Sequence, residues 1–432
     1  MLGRRVLVAA LMVSLSGCAW AQYRGDAEHT GYQPFESTIG VSNVSSLAES
    51  WSIPNVNGSG VVAGGILYAP SVAGLEALDA AGLDGCGGSP KTCSPLWTGL
   101  APSGTSVGST PAVANGIVYV NSSLALLAFD AAGVNGCSGV PKTCTPLWSA
   151  TIDYGSPFMS PTVANGVVYV ANNGGSLYAF DAAGIDGCSG APKTCTPLWT
   201  GLDPNGSYGT PTVANGVVYL GGLYQVEAFD AAGVQGCSGA PKICAPLWTG
   251  RPAPRASLAI AVANGVVYAS GTGTTTLGEF EAFDAAGVDG CSGVPKVCLP
   301  LWTAKPNEFL GPPAVAGETV FATTSEGTLY AYDATGITGC SGSPKACAPK
   351  WTAYLYSVGG WPPSVANGVV YSPTFNKLVA YDTTGTGCPA GCQPLWVSPQ
   401  FKAGLVDPFV VNGTVFVYSQ DGTIHALRLP AN

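Results

Sequence analysis

Short apolar runs separated by glycine-containing turns recur along the chain, and they predict β-strands. In one of them, Thr162-Val-Ala164 is followed by Asn165-Gly166 and then by Val-Val-Tyr-Val. Asn-Gly is the dipeptide that best adopts the positive φ angles of a two-residue type I′ turn. The pattern therefore predicts a tight hairpin whose second strand covers residues 167–170.

Two further strands complete this unit. A Gly- and Ser-rich turn precedes the run 176–180, and the segment 197–200, which contains Trp199, follows a loop with two cysteines. Four antiparallel strands in a unit of about 40 to 50 residues are typical of a propeller blade.

The unit occurs eight times, at a spacing of about 50 residues, which excludes chance similarity. Five copies are close to one another: PAVANGIVYV from Pro111, PTVANGVVYV from Pro161, PTVANGVVYL from Pro211, IAVANGVVYA from Ile260 and PSVANGVVYS from Pro363. Three degenerate copies begin at Gly60, Pro313 and Pro408.

The two ends of the chain distinguish a closed ring from a linear solenoid. Seven copies end in a strand with a tryptophan, the eighth lacks one, and a spare strand with Trp51 precedes the first copy. A solenoid would need polar caps instead. We therefore predict an all-β, eight-bladed β-propeller of four-stranded antiparallel blades over 47–432, closed by the N-terminal strand around Trp51 and preceded by a lead-in segment, 19–46.

Composition agrees with a turn-rich β-protein and argues against one class of partner. Only 9% of the residues are charged, and the chain contains 60 glycines and 34 prolines. The net charge is −9, and the 16 lysines and arginines form no cluster that could follow a phosphate backbone. We expect no nucleic-acid partner.

Residues 1–18 are predicted to be an export signal. Arg4 and Arg5 precede an apolar stretch, and Ser16-Gly17-Cys18 resembles the lipobox of bacterial lipoproteins, whose cysteine is lipidated. Cleavage after Ala19-Trp-Ala21 is the alternative. The protein is therefore expected in the bacterial cell envelope, periplasmic or at the surface, or secreted, with membrane contact through the lipid anchor only.

Fourteen of the 15 cysteines form close pairs, and Cys18 is left over. The pairs are Cys86 and Cys93, Cys137 and Cys144, Cys188 and Cys195, Cys237 and Cys244, Cys291 and Cys298, Cys340 and Cys347, and Cys388 and Cys392. A zinc site needs about four ligands, and neither histidine, His29 or His425, is near a pair in sequence. Redox catalysis usually uses the tighter C-x-x-C spacing. We predict structural disulfides, one hairpin staple per blade, and no metal site.

An aspartate ends the third strand of most copies and has two interpretations. The residues are Asp130, Asp181, Asp230, Asp284, Asp333 and Asp382. Calcium loops would need further acids at fixed positions, but Asn135, Gln235 and Thr338 replace the second one. We predict Asx-type turns. The repeated tryptophans are predicted to pack the blades.

The run Ala179-Phe-Asp181-Ala-Ala-Gly184, followed by Trp199, resembles the repeat of pyrroloquinoline-quinone-like propellers. The opening Trp20-Ala-Gln-Tyr-Arg-Gly-Asp-Ala-Glu-His-Thr-Gly31 is similar to the segment before their first blade. The resemblance implies an eight-bladed ring. It does not decide the function, because the family includes quinone-dependent dehydrogenases, outer-membrane assembly lipoproteins and rings without known activity. The cysteine loop between Gly and Trp is a departure from the family pattern.

The up-and-down topology predicts two different faces. Asn-Gly turns and cysteine loops share one face, while the second-to-third-strand turns and the links between blades share the other, hereafter the link face. The links are the least uniform parts of the repeat, as expected of recognition loops. Candidate binding residues there are Asp153, Tyr154, Tyr208, Arg251, Arg255, Glu308, Tyr356, Trp361, Lys402 and Asp407. The alternative is that they solvate the loops or pack between blades.

We predict a binding or scaffolding module with an envelope protein, peptide or glycan partner, and we expect no cofactor. No Ser/His/Asp catalytic set can be assembled from the sequence. The alternative is a dehydrogenase that oxidises alcohols or sugars with pyrroloquinoline quinone (PQQ) and calcium, as the resemblance implies. Such enzymes commonly contain a disulfide between adjacent cysteines, and this sequence has no adjacent pair.

Overall fold

Eight antiparallel sheets form the blades of a ring, as predicted. The computed structural model describes residues 19–153, 159–202, 209–222, 225–250, 259–271, 278–306, 308, 310–355, 360–388 and 392–430. Each blade has four strands, which are numbered from the axis outward.

The first four blades have the following strands. Blade 1 contains Val61–Ala63, Ile66–Ser71, Gly74–Asp79 and Trp97–Leu100. Blade 2 contains Ala112–Ala114, Ile117–Asn121, Ala125–Asp130 and Trp148–Thr151. Blade 3 contains Thr162–Ala164, Val167–Ala171, Ser176–Asp181 and Trp199–Leu202. Blade 4 contains Thr212–Ala214, Val217–Gly221, Val226–Asp230 and Trp248–Gly250.

The other four blades follow the same order. Blade 5 contains Ala259–Ala263, Val266–Gly271, Glu279–Asp284 and Trp302–Ala304. Blade 6 contains Ala314–Ala316, Thr319–Thr323, Thr328–Asp333 and Trp351–Tyr354. Blade 7 contains Ser364–Ala366, Val369–Pro373, Leu378–Asp382 and Trp396–Val397. Blade 8 contains Leu405–Val411, Thr414–Ser419, Thr423–Arg428 and, from the other end of the chain, Ala48–Pro54.

The N-terminal strand closes the ring. Ala48–Pro54 pairs antiparallel with Thr423–Arg428, and Trp51 lies opposite Ala426. The prediction that the strand around Trp51 completes the last blade is therefore confirmed. Within the described part of the chain the helical element is a 3-10 turn, Val44–Ser46, and no helix there could span a membrane.

The Asn-Gly turns have the predicted geometry. Asn165 and Gly166 both have positive φ angles, 50° and 79°. The strand prediction for this copy is correct to within two residues, because the fourth strand begins at Trp199.

All seven predicted cysteine pairs are disulfide-bonded. Six of the loops form small hairpins, with the strands Cys86–Gly87 and Thr92–Cys93, Cys137–Ser138 and Thr143–Cys144, Cys188–Ser189 and Thr194–Cys195, Cys237–Ser238 and Ile243–Cys244, Cys291–Ser292 and Val297–Cys298, and Cys340–Ser341 and Lys345–Cys347.

Each of these hairpins docks on the preceding blade, which the sequence did not predict. The hairpin of the third repeat adds to the sheet of blade 2, where Thr194 pairs in parallel with Ser149. The Ser149 amide donates to the Lys193 carbonyl at 3.1 Å. The hairpin therefore covers the outer edge of a neighbouring blade instead of only stiffening its own.

The tryptophans also join neighbouring blades. A Cβ atom on Gly184 would lie 2.2 Å from Cδ1 of Trp148, in the preceding blade, so the indole packs directly on the glycine. Tyr119 of that blade donates its hydroxyl hydrogen to the Ala182 carbonyl at 2.8 Å. The same glycine-tryptophan contact joins Gly82 to Trp51, Gly133 to Trp97, Gly233 to Trp199, Gly287 to Trp248, Gly336 to Trp302 and Gly385 to Trp351.

The repeated aspartates form Asx-type turns, as predicted. Asp181 accepts backbone hydrogens from Ile185 at 2.6 Å and Asp186 at 3.0 Å. In the sixth copy, burial alone would raise the pKa of Asp333, but hydrogen bonds from Thr338 and Thr335 outweigh it and lower the pKa to about 2.

Candidate functional site

The lead-in segment lies inside the ring and closes its bore. It follows the inner strands in order, and in seven successive blades a valine amide of the first strand donates to it. These bonds run from Val62 to Trp20 O, Val113 to Ala21 O, Val163 to Gln22 Oε1, Val213 to Ala27 O, Val262 to Glu28 O, Val315 to Thr30 O and Val365 to Gly31 O, at 2.7 to 2.9 Å. In blade 8, Gly413 N donates to Glu36 Oε2 at 3.0 Å. A short strand, Tyr32–Gln33, also pairs in parallel with the first strand of blade 7.

Arg24 carries a positive charge into the lead-in segment, hereafter the plug. Its side chain is buried, and it donates to the Pro363 carbonyl at 2.7 Å and to the Pro313 carbonyl at 2.8 Å, in two different blades. A Cβ atom on Gly31 would lie 2.1 Å from Arg24 Nη2. Glycine at position 31 is therefore what leaves room for the guanidinium.

His29 is an uncharged crosslink between two blades. Its Nε2 lies 3.1 Å from Thr162 Oγ1, and its Nδ1 lies 2.9 Å from Thr212 Oγ1. Both hydroxyls also lie within hydrogen-bond distance of a carbonyl oxygen, Thr162 of Pro211 at 2.6 Å and Thr212 of Ile260 at 3.1 Å. Burial, with Arg24 nearby, lowers the pKa of His29 to about 3. The sequence placed this residue before the ring and not within it.

A funnel opens above the plug on the link face. Its cavity of about 720 Å³ is lined by Tyr23, Asn57, Gly58, Ser59, Gly108, Thr110, Met159, Ser160, Asn173, Thr210, Trp361, Val406, Asp407, Tyr418 and Gln420. Most of these residues belong to links and second-to-third-strand turns. The lining is rich in hydroxyl, amide and aromatic groups.

Five of the polar groups occupy one repeated position, immediately before the proline of the repeat, whose place Gly60 takes in blade 1. Ser59, Thr110, Ser160 and Thr210 supply hydroxyls in blades 1 to 4, and Asp407 supplies a carboxylate in blade 8. Because all five line one cavity and belong to the consecutive blades 8, 1, 2, 3 and 4, they form an arc around the mouth of the bore.

Asp407 is the most unusual of the five. It lies at a bulge in the first strand of blade 8, with φ of 45°, a rare conformation for a residue other than glycine. Ser59 Oγ donates to Asp407 Oδ2 at 3.1 Å. Burial raises the pKa of Asp407, and the charge of Arg24 and the Ser59 bond oppose this rise. Backbone strain of this kind concentrates at functional sites.

The structure brings two of the predicted binding residues, Trp361 and Asp407, into the funnel. Three others are described but lie outside its lining: Asp153, Glu308 and Lys402. The Asp153 carbonyl accepts a hydrogen bond from the Asn172 side chain, and Lys402 is exposed. Tyr154, Tyr208, Arg251, Arg255, Tyr356 and Cys18 lie outside the described residues. The hydroxyl arc was missed because its members are small. A comparison of the residue before each inner strand would have revealed it.

Comparison with known proteins identifies the family. The profile described as outer membrane protein assembly factor BamB matches residues 89–336, more than half of the 432 residues. The chain belongs to this family of PQQ-like propellers. No curated protein matches the sequence of this PQQ-like propeller.

Solved structures of other PQQ-like propellers have the same fold. BamB from Moraxella catarrhalis is 13% identical, with a TM-score of 0.60 over 89% of this chain and 98% of that one. Quinohemoprotein alcohol dehydrogenase from Comamonas testosteroni is 16% identical, with a TM-score of 0.62 over 96% and 82%. A europium-containing methanol dehydrogenase is 12% identical, with a TM-score of 0.63 over 96% and 99%. At these identities the likeness establishes the fold alone.

The described lining of the funnel is poor in carboxylates. Calcium takes about six to eight oxygen ligands, usually including several carboxylates. Among the described lining residues Asp407 is the one carboxylate, and it lies in the field of the buried Arg24. The described part of the chain contains no group of three or more His, Cys, Asp or Glu side chains that could hold a metal.

Proposed function

We propose that the protein is an exported cell-envelope binding module that takes a neutral, polar ligand, a glycan or a peptide segment of a partner, into the link-face funnel. The observation that carries this proposal is the arc of hydroxyls and one carboxylate above a closed bore. A closed floor makes the funnel a binding surface and not a passage.

The lining favours a ligand without strong charge. Hydroxyls and amides act as both donors and acceptors, and Tyr23, Trp361 and Tyr418 add aromatic surface. Aromatic walls with a few convergent polar groups are typical of ligand sites. A ligand with several anionic groups would have to lie against Asp407.

The disulfides support the proposed export to the envelope. Structural disulfides are typical of oxidising compartments, and seven of them agree with an export signal in residues 1–18. The family profile, described as an outer membrane assembly factor, supports a protein partner there. Lipidation of Cys18 belongs to the same proposal.

Two variants of the full chain test the funnel. Trp361→Ala removes an aromatic wall, and we expect it to weaken binding of a glycan or peptide selected by array screening by about tenfold, as for an aromatic binding residue. Phe375→Ala is the matched control, because Phe375 is 55% exposed in a second-to-third-strand turn but does not line the funnel. Equal effects of the two variants would refute the proposed site.

The dehydrogenase alternative has its own test. The protein would be incubated with PQQ and calcium and assayed for dye-linked oxidation of alcohols and sugars. Turnover in this assay would refute the binding proposal and support a dehydrogenase.

A further inference from the structure

Exposed aliphatic side chains repeat on the face of the ring opposite the link face, hereafter the turn face. They are Leu83, Val134, Ile185, Val234, Val288 and Ile337, and each lies four residues after the aspartate that ends the third strand. Their exposed fractions are between 67% and 73%. Single exposed apolar residues are common on proteins, but here one position is aliphatic in six successive blades. Extended exposed apolar sets mark interaction surfaces.

The ring uses the backbone of this position and leaves its side chain in solvent. Ile185 N donates to Asp181 Oδ2 at 2.6 Å, and Asp186 N donates to the same oxygen at 3.0 Å. Any residue except proline supplies such an amide. The next position does vary, with Asp84, Asn135, Asp186, Gln235, Asp289 and Thr338. The Asx-type turn therefore explains the aspartate but not the repeated aliphatic side chain.

Several backbone groups of these loops are already bonded within the protein. In the third repeat, the Ala182 carbonyl accepts from the Tyr119 hydroxyl at 2.8 Å, and the Gly184 carbonyl accepts from Lys193 Nζ at 3.1 Å. The Gly184 amide donates to the Asp181 carbonyl at 3.0 Å. Backbone groups without partners would be costly to place against lipid. The loop can therefore meet an apolar phase with its aliphatic side chain at little cost in lost hydrogen bonds.

The disulfide hairpins add lysines and further apolar residues on the same side. The strand Thr194–Cys195 runs parallel to Trp148–Thr151, which leads from the turn face to the link face, so the hairpin tip points toward the turn face. Val140 and Val294 lie at two of the tips and are fully exposed. The exposed lysines near the tips are Lys142, Lys193, Lys242, Lys296 and Lys345. Aliphatic residues flanked by lysines are typical of membrane-surface contacts.

The chain enters the ring from the turn face. Trp20 and Val62 form an antiparallel bridge, with Trp20 N to Val62 O at 2.9 Å and Val62 N to Trp20 O at 2.8 Å. The strand that contains Val62 runs through Ala63 into the turn at Gly64. In an antiparallel pair the residue before Trp20 lies beside the residue after Val62. Ala19 is therefore at the turn-face end of the bore.

A second contact gives the same position for Ala19. Gln33 pairs in parallel with Ala366, the last residue of its strand before the Asn367-Gly368 turn. The Gln33 side chain donates from Nε2 to the Ala19 carbonyl at 2.9 Å. Cys18 is the residue next to Ala19 in the sequence. An anchor on that cysteine would therefore be attached to the ring at its turn face.

We propose that the turn face lies on a lipid bilayer, with the six aliphatic side chains at the boundary between headgroups and acyl chains and the funnel directed away from the membrane. The proposal rests on lipidation of Cys18, which belongs to the proposed function. Shallow apolar contacts of this kind bind weakly and reversibly, so the lipid holds the protein and the aliphatic residues orient it. Three aspartates in the loops, Asp84, Asp186 and Asp289, offset part of the lysine charge, which favours a mainly zwitterionic surface.

Photocrosslinking of the lipidated full chain tests this orientation. Benzoylphenylalanine would replace Ile185 in one variant and Phe375, which is 55% exposed on the link face, in the other. Both proteins would be reconstituted in vesicles of phosphatidylethanolamine with a minor share of phosphatidylglycerol, irradiated, and analysed for adducts by mass spectrometry. We expect about tenfold more lipid adduct at position 185 than at position 375, because only side chains at the headgroup boundary reach lipid.

Serine variants test whether the aliphatic side chains make the contact. Val234→Ser, Val288→Ser and Ile337→Ser, combined with the crosslinker at position 185, should lower the lipid adduct several-fold while the lipid anchor keeps the protein on the vesicles. Val72→Ser with Leu124→Ser is the matched control, since these residues are 80% and 59% exposed in second-to-third-strand turns of the link face. The control should leave the adduct unchanged.

Equal lipid adducts at positions 185 and 375, or an unchanged adduct in the triple serine variant, would overturn the proposal. An adduct at position 185 with a second copy of the chain, or with another envelope protein in irradiated cells, would also overturn it. Membrane-bound protein without a lipid adduct at position 185 would refute the orientation and leave lipidation standing. Protein that does not associate with membranes would refute both, whereas ligand binding in the funnel is tested separately by Trp361→Ala.

Discussion

Replacement of Gly184 by alanine tests whether the tryptophan contacts hold the blades together. The new Cβ atom would lie 2.2 Å from Trp148 Cδ1 and 2.6 Å from Nε1, far inside van der Waals contact. Gly184 also has φ of +65°, a left-handed conformation that costs alanine about 1 to 2 kcal/mol. Overpacking of a buried contact adds about 1 to 3 kcal/mol. We therefore expect a total loss of about 2 to 5 kcal/mol in the free energy of unfolding.

Gly166→Ala is the matched control in the same repeat. Gly166 has a similar φ of +79°, but a Cβ atom there would meet nothing within 4 Å. It should therefore lose only the backbone part, about 1 to 2 kcal/mol. The difference between the two variants isolates the contact with Trp148.

Urea unfolding of the oxidised protein, followed by tryptophan fluorescence and near-UV circular dichroism, measures both variants. Agreement of the two probes establishes whether a two-state free energy applies. A second replacement, Trp148→Leu, removes the indole that the new methyl group meets, so in that background the two alanine variants should differ less. Equal losses for Gly184→Ala and Gly166→Ala in the wild-type background would refute the reasoning.

Three further predictions concern the bore, the blade contacts and export. His29 has a pKa of about 3 in the folded protein against 6.5 in the unfolded chain, so acid lowers stability by about 1.4 kcal/mol per pH unit between these values. Asp26, whose pKa burial raises to about 6, opposes this loss below that pH, and urea midpoints of His29→Gln should therefore fall less steeply with acid than those of the wild type. Tyr169→Phe removes a 3.0 Å hydrogen bond to Ala231 O and should lower the free energy of unfolding by about 1 kcal/mol in the same assay, and an unchanged value would contradict the blade contact. Cys18→Ser should release the protein from membranes on cell fractionation, and unchanged membrane association would contradict lipidation.

The strands and the closure of the ring could be predicted because their signals are local and repeated. Asn165-Gly166 specifies a turn by itself, and Trp51 stands in a spare strand of the kind that the eighth copy lacks. The disulfides followed from cysteine spacing. The docking of each hairpin on the preceding blade did not, because Thr194 pairs with Ser149 over a single ladder position that leaves no hydrophobic pattern.

The plug could not be predicted for a different reason. Arg24 and His29 belong to a polar segment that is typical of a surface loop, yet both are buried. Their partners are carbonyl and hydroxyl groups more than 130 residues away, such as Thr162 and Pro363. Only the closed ring brings these groups together, so no local pattern could reveal the site.

Departures from the repeat are the most informative feature of this ring. Uniform packing positions, such as the glycine that contacts the tryptophan of the preceding blade in seven repeats, have a structural explanation. Asp407 stands at the funnel where blades 1 to 4 have a hydroxyl. This change does not improve the ring, because it adds a buried carboxylate at a strained bulge. Features that cost stability without a structural return are the positions where a binding function is best sought.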